Sequence, residues 1–135
     1  MSYEELPHTA DVKIRARAPT PAGLFGEAFR ALMQVMYGED RAGGVSRTID
    51  LSAADIESLL CDFLSEALYV SEVEGLVFRQ ADVHLEGIQL HAVLDGEPFD
   101  PARHAMGTEV KGISYSGLSI VRDAKGYMLD ILFDV

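Results

Sequence analysis

Two aspartates stand near opposite ends of this 135-residue sequence. Asp11 opens an alternating stretch, DVKIRARA, and Asp134 closes an apolar one, GYMLDILFDV, with Val135 beyond it. If the strands that carry them end side by side, two side chains and the Val135 α-carboxylate converge. Hard divalent cations such as Ca²⁺, Mg²⁺ or Mn²⁺ prefer oxygen ligands of that kind. Spacing alone leaves the plainer alternative open, an aspartate cap and a surface aspartate. His8, in LPHTADV, is placed to serve as a general base, a metal ligand or a hydrogen-bond partner of Asp11. It equally fits a turn histidine bonded to a backbone carbonyl, and Thr9 caps the turn through its hydroxyl in either case. Lys111 precedes a strand, where a lysine is ordinarily solvated, but this acidic chain has few lysines to spare. His104 lies in a polar loop. His84 and His91 each fall mid-strand and read as surface or cross-strand residues, with a metal pair as the alternative. Cys61, the only cysteine, sits in the apolar run LLCDFL and reads as a buried thiol. It excludes an internal disulfide and any multi-thiolate zinc site.

The elements that must position these residues follow from periodicity. Val12, Ile14, Ala16 and Ala18 alternate with Lys13, Arg15 and Arg17, the pattern of a half-buried strand. Thr20-Pro21 starts a helix, with Thr as cap and Pro in the first turn. Phe25, Ala28, Phe29, Leu32 and Met36 form its inward stripe, and Gly38 stops it. GGVSRTIDL leads into a second strand, and Ser52 with Asp55 forms a start signal for a second helix. Leu59, Leu60, Phe63, Leu64, Ala67 and Leu68 give that helix its apolar face, and Glu74-Gly75 ends it. LVFRQADVHLEG with IQLHAVL predicts one hairpin, and EVKGISYSGLSIVRD with GYMLDILFDV a second. DGEPFDPARHAMG between them reads as a loop. The fold class is therefore α+β: a single domain over 1–135, with a mostly antiparallel sheet of about six to seven strands covered by two helices.

Bulk properties narrow the function. The 135 residues, 48% of them hydrophobic, can bury a real core. Eleven Lys and Arg against 22 Asp and Glu give a net charge of −11, which disfavours direct binding to a phosphate backbone. That charge suits a cation or a basic protein partner. No run approaches the roughly 20 apolar residues of a membrane span, and MSYEELPHT lacks the pattern of a signal peptide. The expectation is a soluble, cytoplasmic protein. GLFGEAF is helical rather than a phosphate loop, and neither a G-x-S-x-G elbow nor an H-E-x-x-H motif is present.

The motifs Y-E-x-L-P-H-T-A-D-V, E-G-L-V-F, E-V-K-G-I-S-Y and the terminal F-D-V occur in this order along nearly the whole chain. In this combination the sequence resembles the archease family. The resemblance implies a non-enzymatic activator of an RtcB-type RNA ligase, which joins RNA ends in tRNA splicing and repair using GTP and a divalent metal. The helper would promote guanylylation of the ligase and so its turnover. An alternative that the family suggests is a chaperone that modulates a tRNA cytosine methyltransferase. The resemblance further implies a metal site of Asp11, Asp134 and Val135, holding Ca²⁺, with Mg²⁺ or Mn²⁺ as alternatives, and a role for Lys111 in activating the ligase. His8, Thr9 and His104 would support that site. One departure is visible: the family often has His after the tyrosine of this segment, where this chain has Ser116. A metal-dependent hydrolase, with His8 as base, is the competing expectation from another class. Against it, no nucleophile is evident.

Overall fold

The structure is a computed structural model, and it describes residues 1–6 and 11–135, with Ser116 by its backbone alone. His8 and Thr9 lie outside the described residues. The elements in chain order are β1 (Ser2–Leu6), β2 (Asp11–Ala18), α1 (Pro21–Tyr37), β3 (Val45–Ser52), α2 (Ile56–Glu74), β4 (Leu76–Glu86), β5 (Gln89–Pro98), α3 (Pro101–His104), β6 (Gly112–Asp123) and β7 (Gly126–Asp134). The chain is α+β, as its periodicity predicts.

The strands form two antiparallel sheets rather than the expected one. The first has the order β1-β2-β7-β6 and the second β3-β5-β4. The two long helices tie the sheets together. α1 packs on β2 of one sheet and β4 of the other, and α2 on β6 and β3. Strand patterns give the buried face of each strand but not its lateral partner, so the division into two sheets has no local signal.

Local caps set the helix limits. The Thr20 hydroxyl accepts from the Gly23 N–H at 3.1 Å, and Pro21 lacks only a donor that the first turn would leave unused. Asp55 alone caps α2, its carboxylate accepting from the Ser58 N–H at 2.7 Å. Ser52, expected to share in that signal, instead closes β3. Gly75 ends α2 in the left-handed region at φ 64°, which a side chain would disfavour.

The core lies where the helices meet both sheets. Phe25 and Phe29 of α1 stack on Phe63 of α2 at centroid distances of 6.1 and 5.8 Å, and Phe29 also meets Phe78 of β4. All four rings are fully buried. Ile14, Ala16 and Ala18 close the core from β2, and Leu129, Ile131 and Phe133 from β7. Among the described residues, no helix is long and apolar enough to cross a membrane.

Candidate metal site at the strand ends

β2 and β7 run antiparallel in continuous register from Asp11↔Asp134 to Ala18↔Tyr127. The alternation that buries Ile14, Ala16 and Ala18 puts Asp11, Lys13, Arg15 and Arg17 on the opposite face. Asp134, Leu132, Asp130 and Met128 share that face from β7. Residues directly opposite in such a pair have Cβ atoms about 4.5–5.5 Å apart. The first and last strands of the sequence's alternating pattern therefore bring the two distant aspartates together.

The same face carries two contrasting cross-strand pairs. Arg15 donates to both oxygens of Asp130, at 2.8 and 3.1 Å. This bond holds the Asp130 carboxyl below the usual carboxylate range and raises the Arg15 guanidinium. Asp11 and Asp134 are instead two carboxylates placed directly opposite each other across the β2–β7 pair.

β6 completes the row. Gly112 lies opposite Asp134 on the far side of β7. A Cβ at Gly112 would sit 3.6 Å from Asp134 Oδ2, so the carboxylate lies over this residue. The Lys111 N–H donates to the Asp134 carbonyl at 2.7 Å, which fixes the lysine backbone beside the pair while its side chain stays exposed. Asp134 and Val135 are exposed, and Asp11 is half-buried.

The donor chemistry fits a hard divalent cation. Two aspartate carboxylates, with a third carboxylate if Val135 is the chain terminus, form an all-oxygen set. Among the described residues, no three His, Cys, Asp or Glu side chains are grouped to hold an ion. The side chains near this strand end thus supply two carboxylates, Asp11 and Asp134, and no third ligating side chain among the described residues.

The remaining sequence candidates sit elsewhere. His104 is fully buried in α3, with both ring nitrogens engaged. Its Nδ1 accepts from the Asp100 N–H at 2.9 Å, which puts the proton on Nε2, and this faces Glu97 Oε2 at 3.2 Å. Arg103 donates to Glu97 through two bonds of 2.7 Å and to both carboxylate oxygens of Asp40. Together with the Ala42 N–H, Arg103 holds the Glu97 carboxyl down to about 2. The sequence reading missed this clamp, for which D-P-A-R-H is the only local signal: Asp100 caps the single turn of α3 and Pro101 begins it. Cys61 is half-buried and faces the Ile113 carbonyl at 3.9 Å, and burial pushes its thiol up, away from the nucleophilic form. Tyr115 places its hydroxyl 3.0 Å from Ser58 Oγ and 3.4 Å from Asp55 Oδ1, joining β6 to the start of α2.

Comparison with known proteins gives a consistent result. Residues 3–135 match the model of the archease protein family (MTH1598/TM1083). Protein archease of Methanosarcina acetivorans is 34% identical, covering 98% of this chain and 95% of the relative. Protein archease-like of Drosophila melanogaster is 33% identical, covering 100% of this chain and 91% of the relative. The solution structure of protein 1598 of Methanobacterium thermoautotrophicum superposes with a TM-score of 0.78 at 19% identity, over 98% of each chain. The crystal structure of a Thermotoga maritima archease, described as a possible chaperone, gives 0.69 at 18% identity, over 98% of this chain and 96% of that one. At those identities the two structures speak to the fold.

Proposed function

The chain belongs to the archease family, and from that premise we propose that it is a non-catalytic activator of an RtcB-type RNA ligase in tRNA splicing or RNA repair. The observation that carries the proposal is the in-register pair Asp11↔Asp134, two like charges set opposite each other at the end of the sheet. The ligands are Asp11, Asp134 and the Val135 carboxylate, and the ion is Ca²⁺, with Mg²⁺ or Mn²⁺ as alternatives. When bound there, the ion supplies positive charge that can meet phosphate oxygens.

The chain's own residues do the rest. Asp11, half-buried, and Asp134, exposed, place their carboxylates on the same face at this strand end. The net charge of −11 steers the protein toward a basic partner surface and away from naked RNA. Lys111 is anchored through its backbone to Asp134, and its side chain is exposed at the same strand end. It is placed to bond a phosphate or a partner carboxylate at the same contact. His8 and Thr9 stand three and two positions before Asp11 in the sequence.

A second reading is supported by the description of the Thermotoga maritima protein as a possible chaperone. In it, the same acidic surface engages a different partner, a tRNA cytosine methyltransferase. The deciding experiment is guanylylation of the source organism's RtcB-type ligase with GTP and Mn²⁺, run without helper, with this protein and with Asp11→Ala. Stimulation by wild type and not by the folded variant supports the proposal. Absence of stimulation by wild type removes it and turns attention to the methyltransferase.

A further inference from the structure

The three-stranded sheet carries a row of polar residues that the strand-end group does not use. Asp50 of β3 lies directly opposite His91 of β5, and His91 lies directly opposite His84 of β4. All three are exposed and share the solvent face. The two imidazole rings stand 6.5 Å apart between centroids with an interplanar angle of 38°. With Asp50, Glu86 and Gln89 they line a shallow cavity of about 250 Å³.

The hydrogen bonding of the row selects which nitrogens are available. His91 Nδ1 is 2.6 Å from Asp50 Oδ1. A carboxylate at that distance holds the proton on Nδ1 and leaves the Nε2 lone pair for a ligand, the arrangement in which carboxylates orient metal-binding histidines. His84 Nε2 lies 3.4 Å from Asp82 Oδ2, a long contact that is easily exchanged. A side-chain exposure of 67% leaves the His84 ring free to turn, while His91, 52% exposed, is held by its bond to Asp50.

We propose that His84 and His91 form a two-histidine site for a borderline transition-metal dication such as Zn²⁺, with Asp50 orienting His91. Imidazole nitrogens favour zinc, copper and nickel over calcium and magnesium, so this site and the strand-end carboxylates differ in ligand class. With Zn–N lengths of about 2.0–2.1 Å, two rings on one tetrahedral ion stand roughly 5 Å apart between centroids. Closing to that spacing from 6.5 Å falls to the exposed His84 side chain, with His91 held in place by Asp50. No third His, Cys, Asp or Glu among the described residues completes the set. Water fills the remaining positions, and the site stays open to an outside ligand.

The test is a titration of untagged, ¹⁵N-labelled protein with Zn²⁺ and, separately, Ca²⁺, following the histidine ring signals by NMR. Zn²⁺ shifts the His84 and His91 rings together and saturates, whereas Ca²⁺ leaves both unchanged. His84→Ala abolishes the response of His91, and His91→Ala that of His84. Asp50→Asn weakens Zn²⁺ binding by roughly tenfold with the backbone spectrum intact. Two outcomes overturn the proposal: no ring response at millimolar Zn²⁺, or a response at one histidine that survives loss of the other.

Discussion

Replacing Glu97 with Gln tests whether charge, rather than shape, fixes the segment that leads to Lys111. Glu97, next to last in β5, accepts two bonds of 2.7 Å from Arg103 and one of 2.7 Å from the Ala42 N–H, with His104 also at 3.2 Å. These partners hold its carboxyl at about 2 against an ordinary 4.5. A drop of that size corresponds to roughly 3 kcal/mol. Arg103 has 32% of its side chain exposed, and solvent screening there brings the expected cost of Glu97→Gln to about 2 kcal/mol at pH 7. The sign follows from the lowered pKa. The contribution is fully present above 4.5 and is lost as pH falls toward about 2. Urea denaturation of wild type and variant, at pH 7 and again at pH 3, reads the difference directly. The penalty should shrink to less than about half at the lower pH. A penalty of the same size at both values would refute the charge argument and make Glu97 a matter of packing alone.

Other perturbations have equally definite outcomes. Phe63→Ala removes the ring on which Phe25 and Phe29 stack and should cost about 3–5 kcal/mol in chemical denaturation. Gly96→Ala sets a methyl against the Val77 carbonyl oxygen and 2.7 Å from Phe78 Cα, beside the irregular pairing of β4. It should destabilise by roughly 1–3 kcal/mol in thermal unfolding. Adding residues after Val135 displaces the carboxylate assigned to the metal, so calorimetry should show weaker Ca²⁺ binding than for the same tag at the N-terminus. Equal affinities would remove Val135 from the ligand set.

Much of this fold is legible in the sequence because its signals are local. Thr20-Pro21 and Gly38 bound α1, and Gly75 ends α2, because a cap is a contact between neighbours in the chain. Both hairpins are marked by glycine-containing turns between alternating runs. β1 escaped notice because SYEEL is short, polar and mostly exposed at the sheet edge, so nothing in it alternates. α3 escaped because a single turn has no period. The site divides in the same way. Asp11 and Asp134 could be named as carboxylates near strand ends, but their pairing depends on β2 and β7 being neighbours, which only family resemblance foreshadowed. The Glu97–Arg103–Asp40 clamp joins residues as many as 63 positions apart, and no spacing rule reaches that far.

The most direct measurement is a calorimetric titration of wild type, Asp11→Asn and Asp134→Asn with Ca²⁺, with folding checked by circular dichroism. One ion shared by the two opposed carboxylates predicts one site in the wild type and loss of most of its affinity in each single variant. Binding that survives in either folded variant would contradict a shared site at the strand ends.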